Sequence, residues 1–186
     1  ASQLNTDLDY LATTSLSGGD IEDRATNDAD YTLASPGGAG SISDDQDIDV
    51  DTAPPEVTEV RSLQADGEYK AGVVIDIEVL WNEDVYVTVS NPTITLENGT
   101  SDRAVLYTSG SGTDTLTFQY TVANGHNSSD LSYADAAVVV LAGASTLKDP
   151  AGNDLALDTP DNGGALDSLS DQKAIVIDTT EPTITN

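Results

Sequence analysis

The stretch "VVIDIEVLW" at residues 73–81 alternates apolar and polar side chains with a period of two, the spacing that sends one set to each face of a β-strand. The pattern recurs along most of the chain. "EVTEVRS" (56–62), "VYVTV" (85–89), "TITLE" (93–97), "RAVLYTS" (103–109), "TLTFQYTV" (115–122), "AVVVLA" (137–142) and "KAIVID" (173–178) are β-branched or aromatic runs. Clusters rich in Gly, Asn, Asp and Ser, such as "ENGTSD", "SGSGTD" and "NGHNSSD", separate them. No segment has a helical period. Seven or eight short strands joined by turns predict an all-β fold, an antiparallel β-sandwich. Trp81, Tyr107, Phe118 and Tyr120 fall on these strands and are expected in the core or at its edge.

The first fifty residues resemble the last part of the chain, in order. "DLDY" at 7–10 matches "DLSY" at 130–133, "IEDRATND" at 21–28 matches "LKDPAGND" at 147–154, and "DTAPPEVTE" at 51–59 matches "DTTEPTITN" at 178–186. The spacing between copies drifts only from 123 to 127 residues (7 to 130, 51 to 178), as changes in loop length produce. The expected organisation is therefore the C-terminal part of one repeat in 1–50, a whole repeat in 51–177, and a junction with the start of a third in 178–186. A partial repeat in 1–50 is expected to leave an open sheet edge and half a core, completed by the same chain or by another.

Charge narrows the function. Thirty-three acidic side chains against six basic ones give a formal net charge of -27. Nucleic acid needs clustered Lys and Arg and is excluded as a partner; anionic membrane surfaces are disfavoured for the same reason. Few aromatics (5%) and high acidity are the composition of disordered chains, but here the 38% of hydrophobic residues gather into alternating runs, which argues for a folded chain. Self-repulsion on this scale opposes compaction, and bound divalent cations would relieve it. The sequence has no Cys and no Met, which removes thiolate metal sites and thiol catalysis. It carries no signal peptide, membrane-spanning run or lipidation motif, and reads as a piece of a longer protein whose targeting signals lie elsewhere. The sole histidine, His126, lies in the polar turn "NGHNSSD", with no nucleophile setting of the "GxSxG" kind, so no enzyme is expected.

Up-and-down strand order would bring carboxylates remote in sequence to one end. The first strand of the whole repeat starts after Asp51, and the next returns at "WNEDV" with Glu83 and Asp84. "KDPAGND" brings Asp149, Asn153 and Asp154 to the same end, and "EDRATND" carries Asp23, Asn27 and Asp28 in the first copy. Ca2+ takes six to eight such oxygens at about 2.3–2.6 Å. Asp and Asn are also ordinary turn residues, so solvated turns are the alternative. "DGEYKAG" at 66–72 is expected to be a plain β-turn at the opposite end, and the sequons at Asn98 and Asn127 to lie in loops open to glycosylation.

Together, "ADGEYKAGVVIDIEVLWNEDVYV", "PTITLENGTSDRAVLYTSGSGTDTLTFQYTV", "LKDPAGNDLAL" and "KAIVIDTTEPTIT" resemble the bacterial immunoglobulin-like repeats of giant surface adhesins and related secreted repeat proteins. The resemblance covers 51–186 and, as a C-terminal part, 1–50. It implies an immunoglobulin-like tandem β-sandwich, stiffened by calcium, that carries a functional tip away from a cell. The family's acidic residue before the third strand corresponds to Glu83, its "D-x-AGN" loop to Asp149–Asn153, and its "DTTAP" junction to Asp51 and Asp178. Trp81-Asn82 stands where Phe-Ser is common, and "DRATN" departs from the loop pattern in the first copy. The implied function is a non-catalytic extracellular spacer whose partners are neighbouring repeats. The alternatives are a filament or surface-layer segment packed through 1–50, and a carbohydrate- or protein-binding module.

Overall fold

The period-two runs fold as strands in a computed structural model of the protein, which describes residues 4–5, 7–88, 92–98, 102–133, 139–140, 146–155 and 168–184. The chain forms two units, residues 1–53 and 54–186. The boundary falls after residue 53 rather than 50, and 178–184 belong with the second unit. Residues 181–184 form no strand, contrary to the expectation of a new strand beginning there.

The first unit holds little regular structure: β1 (Leu4–Asn5), the single turn α1 (Ile42–Asp45) and β2 (Val50–Asp51), with β1 antiparallel to β2. Among the described residues the second holds a curled antiparallel sheet of eight strands and a separate parallel pair. Its strands are β3 (Val57–Arg61), β4 (Gly67–Tyr69), β5 (Val74–Val87), β6 (Thr93–Glu97), β7 (Arg103–Ser109), β8 (Thr113–Thr121), β9 (Ser132–Tyr133), β10 (Val139–Val140), β11 (Leu147–Lys148) and β12 (Ile175–Ile177), with one turn of helix, α2 (Leu169–Gln172). The spatial order of the sheet is β10-β6-β7-β8-β5-β11, with β3 also on β5 and β9 also on β6, and the separate pair is β4 with β12. An all-β fold is thus established.

The longest strand organises the sheet. The runs 73–81 and 85–89, expected as two strands, form the single β5, whose pairing with β8 is regular to Leu80↔Thr115 and resumes at Val85↔Thr113. Ile75, Ile77, Val79, Trp81 and Val85 on one face of β5 are all buried, and with Val60, Ile94, Leu96, Leu116 and Phe118 they make the core. Burying each such side chain contributes roughly 1.5–3 kcal/mol. At the β7–β8 hairpin, Gly110 has φ 110° and a Cβ there would lie 2.0 Å from the Thr115 carbonyl oxygen, so the strands close only around glycine.

Three expectations are corrected. Residues 66–72 are not a plain turn: Gly67–Tyr69 pair in parallel with β12, Asp66 accepts the Ala174 N–H at 3.1 Å, and Tyr69 O accepts from Asp178 N–H at 3.0 Å. α1 and α2 are helical turns too short for the period to register, each following a buried serine, Ser41 or Ser168. Asn98 is buried, not presented in a loop as an open acceptor. The expected strand 137–142 is described only at 139–140; its other residues lie outside the described ones.

Local geometry in the first unit matches that near the end of the second, pair by pair. Asn5↔Val50 corresponds to Ser128↔Ile177, and Leu8 N–H to Ile48 O (2.9 Å) corresponds to Leu131 N–H to Ile175 O (2.8 Å). The bridge Glu22↔Asp28 corresponds to Lys148↔Asp154. α1 and α2 close alike, with Gln46 N–H on Ile42 O and Lys173 N–H on Leu169 O.

His126 is buried, not solvated as its polar neighbours suggest. Its Nδ1 accepts from Tyr120 O–H at 2.8 Å and Ala123 N–H at 3.2 Å, and the two rings stack at 5.7 Å. Its backbone carbonyl accepts from Thr179 Oγ1, which in turn accepts from Gly125 N–H, so this turn holds the segment after β12. Burial, aided by the Arg103 charge, lowers the His126 pKa below its ordinary value. The folded state therefore binds fewer protons than the unfolded one below about pH 6.5, and stability present above that pH is lost on acidification. Lowering pH from about 7.5 to about 5.5 is expected to reduce the melting temperature, and His126→Gln to flatten that dependence while costing roughly 1–2 kcal/mol. Thermal melts across this range check both.

Candidate metal centre

On β5 Glu83 is partly buried whereas Asp84 is exposed, in the stretch between Leu80 and Val85 where the pairing with β8 shifts register. The interrupted pairing at 80–85 is the kind of irregularity that re-aims a side chain at a strand end.

Asp149 follows β11, which pairs with β5 at Lys148↔Tyr86 and Leu147↔Val87. Its carboxylate is only 3% exposed and is held by its own loop. Oδ1 accepts from Gly152 N–H at 2.6 Å and Asn153 N–H at 2.8 Å, and Oδ2 accepts from Asn153 Nδ2 at 2.7 Å. These bonds offset much of the cost of burying the charge. A carboxylate offers about four lone-pair directions, so one remains on Oδ2 after these three. A Glu83 oxygen and an Asp149 oxygen lie within 4.8 Å of each other. Two oxygens on a single Ca2+ at about 2.3–2.6 Å can be up to about 5 Å apart, so this pair fits one.

The other expected donors make contacts of their own. Asn153 gives its amide N–H to Asp149 and so acts as a clamp on that carboxylate. Asp154 is exposed and ion-paired with Lys148 Nζ at 2.7 Å, while the same ammonium donates to Gly152 O at 3.0 Å. Nothing in the spacing of the acids signalled this lysine. In the first unit Asp23 repeats the Asp149 loop: Oδ1 accepts from Ala25 N–H and Asn27 N–H, and Oδ2 from Asn27 Nδ2 at 2.8 Å. Asp23, Asn27 and Asp28 are all exposed, and Glu22 takes the place of Lys148. These hydrogen bonds lower the Asp23 pKa, those from Asn27 first.

Asp51 and Asp178 end corresponding segments in the same local turn. Asp51 Oδ1 accepts from Ala53 N–H, and Asp178 Oδ1 from Thr180 N–H, each at 2.8 Å. Asp178 is exposed. It borders a groove of about 560 Å³ lined by Glu97, Asn127, Ser128, Asp130 and Thr180. Burial raises the Asp130 pKa there.

No family model matches the chain, and neither a curated protein nor a solved structure matches it. No helix of the described residues is long and apolar enough to cross a membrane.

The Asp loop needs a positive φ three residues after the aspartate. Gly152 supplies it at 95°, but Thr26 adopts 65° in the first unit, where a Cβ is strained. Thr26→Gly is expected to stabilise the first unit by about 1 kcal/mol and Gly152→Ala to destabilise the second by about as much. Amide exchange at Asn27 and Asn153 reads each loop separately.

Proposed function

We propose that this chain is a non-catalytic structural spacer of a long extracellular surface protein, built of immunoglobulin-like tandem β-sandwich repeats and stiffened by Ca2+ at the junctions. The observation that carries the reading is the approach of Glu83 and Asp149. Two carboxylates this close, one buried and one half-buried, repel each other unless a cation or a proton lies between them. The net charge of -27 adds a general demand for cations.

Glu83 and Asp149 would hold the ion, and the resemblance adds Asp51 of the junction motif as a further donor. Glu56, at the start of the second unit, is hydrogen-bonded both ways to Asn82, the neighbour of Glu83 (Glu56 N–H to Asn82 Oδ1 2.9 Å, Asn82 N–H to Glu56 O 3.0 Å). The short segment between Asp51 and Glu56 contains Pro54 and Pro55, which limit its freedom. A bound cation would neutralise repulsion and tie the junction segment to the sheet that follows. Asp178, in the same turn as Asp51, would serve a following repeat in the same way. The matched pairings of the first and second units support the repeat reading, and the loop carboxylates of "EDRATND" would make a weaker site, being exposed.

A binding module is the less favoured reading, because the groove beside Asp178 is lined by hydroxyls and carboxylates without an aromatic platform.

In a medium with millimolar calcium, a site of about 10⁻⁴ M affinity adds about 1.4 kcal/mol. Chelation is expected to lower the melting temperature by roughly 2–8 °C and to broaden the particle seen by small-angle scattering. Glu83→Gln and Asp149→Asn should each remove the calcium response, whereas Asp84→Asn should leave it. Superposable melts and scattering curves with and without chelator would sink the calcium reading.

A further inference from the structure

The two units bury matching positions to very different degrees. Leu8, Ile21, Ile42 and Ile48 of the first unit are 37 to 52% exposed, while their counterparts Leu131, Leu147, Leu169 and Ile175 are at most 1% exposed. In the second unit each of the four sits in or beside an element that packs on the sheet of 54–127. β9, which follows Leu131, pairs with β6; β11, with Leu147, pairs with β5; β12, with Ile175, pairs in parallel with β4; and α2, with Leu169, packs on β3. The same residue types in the same local geometry thus have a partner sheet in one unit and stand exposed in the other.

The loops around these four residues are held by hydrogen bonds. Asp9 ties its neighbouring loop together, its Oδ2 accepting from Ser43 O–H at 2.7 Å and Gly37 N–H at 2.9 Å, and its Oδ1 from Tyr10 N–H at 2.8 Å. The Asp23 loop and the Tyr10 O–H bond to Ala34 O (2.7 Å) hold the rest. Burying four aliphatic side chains of this size would contribute several kcal/mol, so on loops already held they make a strong acceptor.

We infer that the exposed aliphatic residues of 1–53 form a docking surface for a β-sheet of the 54–127 type, a half-domain that supplies strands equivalent to β3, β4, β5 and β6. The identity of the occupant follows from the second unit, where those strands cover the corresponding residues. A second copy of the whole chain is a poorer occupant, because its own 54–127 sheet already packs on residues 131–177. The inference rests on the repeat relation proposed above and is independent of the calcium site.

The test extends the full 186-residue chain at its N-terminus with a second copy of residues 54–127 and compares amide hydrogen exchange with the parent, in calcium and in chelator. The expected result is about a hundredfold or greater rise in protection at Leu8, Ala29 and Asp49, reversed by Ile42→Asp with Ile48→Asp while the second unit keeps its protection. Unchanged protection in the first unit overturns the inference. Protection already high in the parent chain, accompanied by dimers in light scattering, also overturns it by making a second copy the occupant. Gain of protection in chelator as well as in calcium separates this result from any failure of the calcium reading.

Discussion

Strand β5 is the interaction on which the second unit depends. It pairs with β8 along one side and with β3 and then β11 along the other, so three remote segments take their register from it. Its alternation sends Ile75, Ile77, Val79 and Trp81 into the core, and beyond the shift in pairing after Leu80 it holds Glu83 half-buried beside the buried Val85. A half-buried acid is costly unless something at the end of the strand compensates it. The neighbour β11 delivers Asp149 there, already clamped by its loop.

That clamp separates two jobs that carboxylates and amides do in such loops. In "DPAGN" the aspartate collects two backbone N–H groups and an amide N–H from Asn153, which fixes it in place while leaving a lone pair for a cation. "DRATN" builds the same turn around Asp23 with Thr26 forced to a positive φ. The first unit keeps this geometry without the burial that gives Asp149 its weight. Where the loop is exposed, water competes for the carboxylate and the electrostatic gain is small.

Much of this was legible in the chain itself. The strands at 57–61, 93–97, 103–109 and 113–121 follow from alternation and turn residues, because period two survives any tertiary arrangement. Strand order brings Asp51, Glu83, Asp84, Asp149, Asn153 and Asp154 to one end, and of these Glu83 and Asp149 approach each other. What sequence left open was set by long-range contacts. The parallel pairing of Gly67–Tyr69 with Ile175–Ile177 joins segments about a hundred residues apart, and nothing local marks it. His126 reads as solvated from its neighbours, yet the aromatic face of Tyr120 and the turn around it take the ring inside. Lys148 claims Asp154 through a cross-loop contact that a list of acids cannot contain.

The account rests on Glu83 and Asp149 sharing a divalent cation, and Trp81 offers a direct reporter. It lies two residues before Glu83 on β5, roughly 7 Å away along the strand. Terbium added to the calcium-free chain and excited through the tryptophan should emit, the emission should be displaced by calcium, and it should be lost in Glu83→Gln and in Asp149→Asn. Emission that survives both substitutions, or no emission at all, would contradict the shared site.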